Sequence, residues 1–266
     1  MSSKPIPPTT VDHLLGNISQ AVIDVLKKAA QTGWDFFPPH TFNYKQDNLA
    51  TVNNPYFLHY PSFATAYSAG KATGQGEGVD IKWRAHVACW AAHNAAKLQG
   101  DFVDLGVFHG GLAALVFSYL GPKAFKNRFY HLVDSWSDYE AGLLCEAEIN
   151  SGIKPPDYNY EDCFNEVKRN FKLPFFKIHR GQVPEILRLI DSRPLAYISI
   201  NMACAAVELA GAERLWPSLV KGGSILLDDF AFPGHQTQAQ AFYEFAAQRG
   251  VEILVLPTGQ GLIIKN

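Results

Sequence analysis

The chain has 266 residues and a formal net charge of −2 at pH 7. A charge so close to zero gives no bulk attraction to nucleic acid or to an anionic membrane surface, so we expect a small-molecule partner. The length suits a single α/β domain with an N-terminal extension, and it is large enough to bury a core without disulfides or structural metals.

The cysteines and the N-terminus indicate a cytoplasmic protein. The four cysteines form no C-x-x-C pair, so we expect free thiols in a reducing compartment rather than disulfides or a zinc site; they are Cys89, Cys145, Cys163 and Cys204. The N-terminal residues are too polar for a signal peptide. No apolar run approaches the roughly 20 residues that a membrane span needs.

Residues 1–80 are predicted to form an N-terminal helix and an aromatic-rich lid segment. Residues 11–30 place apolar side chains at helical spacing, which predicts an amphipathic helix. A helix outside the core is compatible with a homodimer. Residues 33–80 read as irregular but carry many aromatic side chains, so this segment is expected to lie against a folded surface rather than to be a solvated linker.

Residues 81–266 alternate regularly between strand and helix patterns. Strands are predicted at 102–108, 129–136, 175–181, 195–201 and 224–230, and a closing hairpin at 252–266. Helices are predicted at 81–99, 109–121, 160–172, 184–190, 205–220 and 236–250. This alternation predicts a doubly wound, mostly parallel sheet of seven strands, Rossmann-like, with helices on both faces. The hairpin adds antiparallel pairing, as in class I methyltransferases.

A glycine loop follows the first of these strands, at residues 104–111. Gly106 comes two positions after Asp104, and Gly110 and Gly111 stand where the next helix begins. Open α/β sheets bind ligands at the carboxyl ends of their strands, where glycines let a ligand approach the backbone. The spacing is not G-x-G-x-x-G. It favours S-adenosylmethionine over a dinucleotide, with Asp104 near the cationic amino-acid end; the alternative is a turn that needs glycine for packing alone.

Two further strand ends carry side chains suited to a nucleoside. Asp134 and Ser135 end the second strand, where a carboxylate can accept hydrogen bonds from both ribose hydroxyls. Gly181 and Gln182 end the third strand and are predicted to lie near the adenine. The alternatives are a helix N-cap at Asp134 and a plain turn at Gly181.

The fourth strand ends at Asn201 and the fifth at Asp228 and Asp229. Because these strands are neighbours in this fold, the three side chains are expected to converge beside the cofactor. Carboxylate and amide oxygens are ligands that Mg²⁺ prefers, and such an ion would lower the pKa of a substrate hydroxyl. The alternative is that these residues cap the next turn and hydrogen-bond locally.

Together these motifs resemble the macrocin O-methyltransferase (TylF/MycF-like) family of class I S-adenosylmethionine-dependent enzymes, over roughly residues 45–266. The segments that carry the resemblance are FVDLGVFHGG, HLVDSW, HRGQVPEIL, LWPSLVKGGSILLDDF and VLPTGQGLIIK. The resemblance implies Mg²⁺-assisted methyl transfer to a hydroxyl of a sugar or natural product. It also implies an N-terminal segment that folds over the cofactor and contacts it around Thr51.

One position departs from the family pattern. Related sequences typically read I-D-M-N-C at the end of the fourth strand, whereas this chain reads I-N-M-A-C. Asn201 therefore stands in place of the aspartate, and Ala203 in place of the asparagine. An amide carries no charge, so Mg²⁺ is expected to bind more weakly, and one candidate general base is lost.

The residues predicted to take part in catalysis are Asn201, Asp228 and His235. His109, in the glycine loop, is expected to pack against the cofactor, and a lone histidine is more often structural than catalytic. Asp138 and Glu140 are candidates for the wall of the acceptor pocket. Positioning alone can supply much of the rate enhancement, so the lack of a clear base does not exclude an enzyme.

The sequence therefore predicts an S-adenosylmethionine-dependent O-methyltransferase of a small molecule, with a weakened or absent metal site. The alternative is a protein that binds this cofactor without methylating, or that uses its positive sulfur in a different reaction. An NAD-dependent enzyme is disfavoured by the glycine spacing and the terminal hairpin.

Overall fold

A computed structural model describes residues 19–35, 37, 41–74, 80–137, 142–154 and 159–266. The described residues form two compact units: one contains residues up to Lys45 together with Ala50–Pro55, and the other contains Gln46–Leu49 together with Tyr56–Asn266. The predicted division of the chain at residue 80 stays a prediction.

The described part of the first unit consists of a helix and most of a hairpin. Helix α1 spans Gln20–Gln31 and ends one residue beyond the helix predicted for residues 11–30; residues 11–18 are outside the described residues. Strands β1 (Tyr44–Gln46) and β2 (Leu49–Thr51) form the two-stranded hairpin. Asp47 and Asn48 form its turn with φ of 51° and 57°, the left-handed conformation that a two-residue hairpin turn requires.

Two helices precede the large sheet. Helix α2 spans Pro61–Lys71 and helix α3 spans Lys82–Ala95. The prediction that residues 33–80 are irregular is therefore wrong over α2 and over the β1–β2 hairpin. Proline at the first helical position starts α2. Gly70 lets it approach helix α4 (Gly111–Leu120) closely, since a Cβ on Gly70 would lie 2.9 Å from the carbonyl oxygen of Gly111.

The large sheet has seven strands, as predicted. The parallel strands are β3 (Asp101–Leu105), β4 (Tyr130–Asp134), β5 (Phe176–Arg180), β6 (Leu195–Ile200) and β7 (Leu219–Leu227). Strands β8 (Ile253–Val255) and β9 (Gly261–Ile264) form the closing hairpin, and β9 pairs antiparallel with β7. The order across the sheet is β5-β4-β3-β6-β7-β9-β8.

Helices cover both faces of this sheet. Besides α2, α3 and α4, they are α5 (Glu146–Asn150), α6 (Tyr160–Asn170), α7 (Ala205–Leu215) and α8 (Gln236–Arg249). Alternate strand residues point to opposite faces. Phe102, Tyr130 and Tyr197 therefore join the core beneath α3 and α4, whereas Val103 and Ile198 join the core beneath α7 and α8.

The sheet has its switch point at β3, which pairs with β4 on one side and with β6 on the other. A crevice forms at the carboxyl ends of strands where the order reverses in this way.

Cys89, Cys145, Cys163 and Cys204 are all free, as predicted. Within the described residues, no helix is both long enough and apolar enough to cross a membrane.

Candidate active site

Gly106 brings the ends of β3 and β6 into contact. Its φ is +84°, and a Cβ at this position would lie 1.8 Å from the carbonyl oxygen of Asn201. The backbone N–H of Asn201 donates to the carbonyl of Leu105 at 2.9 Å, and that of Gly106 donates to Val133 at 3.0 Å. Only glycine fits here, because both the dihedral angle and the space exclude a side chain.

Gly110 and Gly111 lie close to neighbouring elements of the fold. Gly110 also has a φ of +84°, and a Cβ there would lie 2.4 Å from the ring of Phe171. Gly111 begins α4 and faces Gly70 of α2. At Gly110 both the dihedral angle and the neighbouring ring require glycine, and the predicted contacts of Gly110 and Gly111 with the cofactor stay predictions.

A first cavity of about 360 Å³ lies over the ends of β3, β4, β5 and β6. It brings together six of the residues predicted from the sequence: Gly106, Asp134, Ser135, Gly181, Gln182 and Asn201. Sequence reasoning missed several other wall residues: Phe108, Ser137, Lys154, Tyr160, Val183, Met202, Ala203 and Val207. These follow strand ends or lie on adjoining helices, where a local pattern gives no signal for a cavity wall.

Asp134 stands at the end of β4 with its carboxylate fixed by its own loop. Oδ2 accepts the backbone N–H of Phe108 and Oδ1 accepts that of Trp136, each at 2.8 Å. Burial raises the pKa of Asp134, and these backbone hydrogen bonds oppose the rise. Each carboxylate oxygen can accept more than one hydrogen bond, so the group can still accept from a ligand in the cavity.

Asp104 is buried and lines neither of the two cavities at the strand ends. It is 3% exposed, and one carboxylate oxygen accepts the hydroxyl of Tyr130 at 3.0 Å. Its other oxygen, Oδ1, is buried without a hydrogen-bond partner among the described residues. Burial raises the pKa of Asp104 to about 7. The predicted contact with the cofactor stays a prediction.

His109 contacts helix α6. Its Nδ1 pairs with Glu166, and its Nε2 lies 3.5 Å from the sulfur of Cys163. The ring is not in the wall of either cavity. The interaction with α6 accounts for the position of His109 without a ligand, and the predicted packing against the cofactor stays a prediction.

Two other predicted residues lie elsewhere, and two more lie outside the described residues. Thr51 ends β2, and its hydroxyl accepts the backbone N–H of Asn53 at 3.0 Å. His235 precedes α8, with its ring 6.4 Å from that of Phe232. Asp138 and Glu140 lie outside the described residues. The predicted roles of all four stay predictions.

Arg84 of α3 lies at the ends of β6 and β7. Its Nη1 donates to Asp228 Oδ2 at 3.0 Å and to Asp229 Oδ1 at 2.9 Å. Its Nε donates to Asp47 Oδ2, in the hairpin turn, at 2.9 Å. The guanidinium carbon lies 4.5 Å from the ring centroid of Phe232. Three carboxylates thus surround one guanidinium, and the charges of Asp228 and Asp229 raise the pKa of Arg84 further.

Asp228 is held by two amides as well as by Arg84. Asn201 Nδ2 donates to Asp228 Oδ2 at 3.1 Å, and Gln260 Nε2 donates to Asp228 Oδ1 at 2.8 Å. The hydroxyl of Thr258 donates to the side-chain oxygen of Gln260, Oε1, at 3.0 Å, which fixes the orientation of the Gln260 side-chain amide. Burial raises the pKa of Asp228, whereas the Arg84 charge and the Gln260 hydrogen bond lower it.

A second cavity of about 330 Å³ adjoins this cluster. Its polar end consists of Asp47, Arg84, Asn201, Asp228 and Asp229. Its apolar wall includes Ile81, Leu112, Leu115 and Phe232. Asn201 lines both cavities, so the two sites meet at the end of β6. The convergence of Asn201, Asp228 and Asp229 predicted from the sequence is observed.

Sequence reasoning missed Arg84, Asp47 and Gln260. Arg84 did carry a signal, because it shares the buried face of α3 with Ala85, Ala88 and other alanines. A charged residue on such a face needs an opposite charge as a partner. The partners of Arg84 could not be read from the pattern, since Asp228 is 144 residues away along the chain.

Comparison with known proteins gives a family match. The family model described as macrocin O-methyltransferase (TylF) matches residues 84–256. The matched region begins at Arg84 and contains β3 to β8 with the strand ends that line both cavities. No curated protein matches the sequence.

Solved structures of methyltransferases share the fold. The structure of the O-methyltransferase NovP is similar over 69% of this chain and 79% of its own, with 16% identity and a TM-score of 0.56. The calicheamicin methyltransferase CalS11 is similar over 98% of this chain and 99% of its own, with 11% identity and a TM-score of 0.53. An apo structure of CalS11, described as a TDP-rhamnose 3'-O-methyltransferase, is similar over 76% of this chain and 93% of its own, with 14% identity and a TM-score of 0.50. At these identities the similarity shows the fold.

Proposed function

Because the chain belongs to the macrocin O-methyltransferase (TylF) family and is therefore a methyltransferase, we propose that it transfers a methyl group from S-adenosylmethionine to a hydroxyl of a small molecule. The observation that carries this proposal is the pair of cavities that share Asn201. One cavity would hold the cofactor and the other the acceptor. Their junction at the end of β6 is where a methyl group would pass from one to the other.

The first cavity suits the cofactor. Asp134 would accept hydrogen bonds from the ribose hydroxyls at the end of β4, and Gly181 and Gln182 would lie against the adenine at the end of β5. Gly106 lines this cavity at the end of β3, so its backbone would lie against the ligand. When bound, the cofactor supplies a methyl group on a positively charged sulfur.

The second cavity suits a small acceptor with apolar faces and a hydroxyl. Its aliphatic and aromatic wall would exclude water from the acceptor, and the polar residues around Arg84 would orient the hydroxyl toward Asn201. A sugar or another natural product has this combination of surfaces. The description of CalS11 as a methyltransferase of a nucleotide sugar supports the same class of acceptor.

The direct test is calorimetry with S-adenosylhomocysteine, followed by a methylation assay on a panel of sugars and phenolic natural products. We expect saturable binding of S-adenosylhomocysteine and a mass increase of one methyl group on at least one hydroxyl compound. Binding without methylation of any compound would favour a cofactor-binding protein that does not methylate. Absence of binding would contradict both functions.

The first prediction concerns Asp134. Replacing Asp134 by Asn removes one charged acceptor from the ribose and places an N–H₂ group against a backbone N–H. A charged hydrogen bond contributes about 1.5–3 kcal/mol, so we expect S-adenosylhomocysteine to bind roughly 10- to 100-fold more weakly in calorimetry. Asp191→Asn is the control, because Asp191 pairs with Arg214 and lines neither cavity. Equal affinity in both variants would contradict the role of Asp134.

A further inference from the structure

The three residues predicted to bind Mg²⁺ do not present a ligand set for that ion. Magnesium needs an octahedron of oxygens at about 2.0–2.1 Å. Here Asp228 Oδ2 and Asp229 Oδ1 accept from the same nitrogen of Arg84, and Asp228 Oδ1 accepts from Gln260. Among the described residues, no group of three or more Asp, Glu, His or Cys side chains could hold a metal ion.

The amide of Asn201 also faces the wrong way for a metal ligand. Its nitrogen donates to Asp228 Oδ2 at 3.1 Å. With the amide reversed, its oxygen would lie at that distance from a carboxylate oxygen, which is repulsive, so the hydrogen-bond network fixes the donor orientation. Asn201 therefore presents a hydrogen-bond donor at the position where a metal would need an oxygen.

We propose that the Arg84 guanidinium takes the place of the divalent cation at this site and binds the acceptor oxygen directly, while Asp229 accepts the hydroxyl proton. This proposal rests on the function proposed above. It assigns catalytic roles to two residues that line the acceptor cavity, and it makes methyl transfer by this chain independent of a metal ion.

Arg84 is rigid enough for this role. It is 7% exposed, and hydrogen bonds to Asp47, Asp228 and Asp229 fix two of its three nitrogens. Phe232 packs against the guanidinium plane. A donor that is already oriented before the reaction stabilises a developing negative charge without reorganisation.

Two polar atoms of the cluster have no partner among the described residues. Arg84 Nη2 makes no hydrogen bond, although Nε and Nη1 are both engaged. Asp229 Oδ1 accepts from Arg84, whereas Asp229 Oδ2 accepts no hydrogen bond. Both residues line the second cavity, so an acceptor hydroxyl there can accept from Nη2 and donate to Oδ2 at the same time.

The amide at position 201 fits the same arrangement. An aspartate there would add a fourth carboxylate around a single guanidinium, next to the oxygen of Asp228. Asn201 adds no charge and donates to that oxygen instead. A guanidinium in place of Mg²⁺ lowers the positive charge of the site by one, and Asn201 in place of an aspartate lowers its negative charge by one. The two changes therefore offset each other, which accounts for the departure from the family pattern.

The atoms of the step balance without a metal. The acceptor oxygen forms a bond to the methyl carbon while the carbon–sulfur bond breaks and its electron pair goes to sulfur. The hydroxyl proton passes to Asp229 Oδ2 and is released to water after the product leaves. Arg84 Nη2 donates a hydrogen bond to the oxygen throughout and transfers no proton.

The experiment combines metal binding with kinetics on three proteins: wild type, Arg84→Lys, and the double variant Arg84→Met with Asn201→Asp. Binding of Mn²⁺ is followed by electron paramagnetic resonance, and methylation is measured with and without EDTA. We expect wild type to bind no Mn²⁺ at 1 mM and to be unaffected by EDTA. We expect the double variant, with four carboxylates and no guanidinium, to bind Mn²⁺.

The Arg84→Lys variant keeps the charge but loses the fork that contacts three carboxylates. We expect kcat to fall roughly 100- to 1,000-fold, the loss typical of an oxyanion donor, with the affinity for S-adenosylhomocysteine unchanged. Asp229→Asn is expected to lower kcat by a similar factor. Asp47→Asn, which touches only Nε, is expected to lower it less than 10-fold.

Failure of this proposal is distinguishable from failure of the proposed function. Wild type that binds S-adenosylhomocysteine and methylates, but binds Mn²⁺ and loses activity in EDTA, would overturn the role of Arg84 alone. Unchanged kcat in Arg84→Lys would also overturn it. If the double variant does not fold, the wild-type metal titration and the Arg84→Lys kinetics still decide the question.

Discussion

Replacing Gly106 by Ala is expected to cause the largest loss of stability and activity of any single methyl addition in the sheet. The new Cβ would lie 1.8 Å from the carbonyl oxygen of Asn201, whereas real Cβ contacts are not shorter than 3.0 Å. The ends of β3 and β6 must therefore separate by more than 1 Å. The left-handed φ of +84° adds backbone strain.

Strain and overpacking together are expected to cost about 2–5 kcal/mol, which lowers Tm by roughly 5–20 °C for a chain of this size. A displacement of about 1 Å at the junction of the two cavities is expected to lower kcat/KM on the order of 100-fold. Scanning calorimetry and methylation kinetics measure the two effects.

Gly74→Ala is the matched control for this substitution. Gly74 has a φ of +85°, but a Cβ there meets no atom of the described residues within 4 Å. The Gly74→Ala variant should therefore lose only the stability that backbone strain costs, roughly 1–2 kcal/mol, and keep wild-type kinetics. If the two variants lose the same stability and Gly106→Ala keeps wild-type kinetics, the close contact with Asn201 is not important.

Replacing Asp104 by Asn is expected to remove a large part of the pH dependence of stability. Burial raises the pKa of Asp104 from 3.8 to about 7 in the folded state. Between these values the folded protein binds more protons than the unfolded chain, so the free energy of unfolding falls as pH rises. The shift corresponds to a loss on the order of 4 kcal/mol across this range.

The variant has no ionisable group at this position, so its stability should fall less than that of wild type between pH 4 and pH 7. Above about pH 7 the difference should be constant, with Asp104→Asn the more stable protein. Denaturant unfolding at several pH values measures the difference. Burial also raises the pKa of Glu208 to about 7, but Glu208 is present in both proteins and cancels in the comparison. Parallel profiles for the two proteins would contradict a raised pKa at Asp104.

Asp104 shows what a local sequence pattern can predict and what it cannot. Along β3, Asp104 alternates with Val103 and Leu105 and shares a face with Phe102. Two-residue periodicity therefore puts its side chain on the same face of the sheet as that of Phe102. The structure shows that this face packs beneath α3 and α4. Its position near a glycine loop suggested a ligand, but the direction of a strand side chain depends on its register within the sheet.

The elements of the sheet and the family were decided by the sequence itself. Hydrophobic periodicity distinguishes strand from helix, right-handed crossovers limit the possible topologies, and ligand-binding residues follow strand ends. These are local properties, so β3 to β9, the cavity residues Asp134 and Gln182, and the convergence of Asn201 with Asp228 could all be predicted.

Only the tertiary structure decided which cation those carboxylates face. Arg84 reaches Asp228 and Asp229 because α3 packs across the ends of β6 and β7, and the turn at Asp47 completes the cluster. These contacts join segments far apart in the chain, and no local spacing encodes them. The amide at position 201 was visible in the sequence, but its meaning depends on the charge that the fold brings beside it.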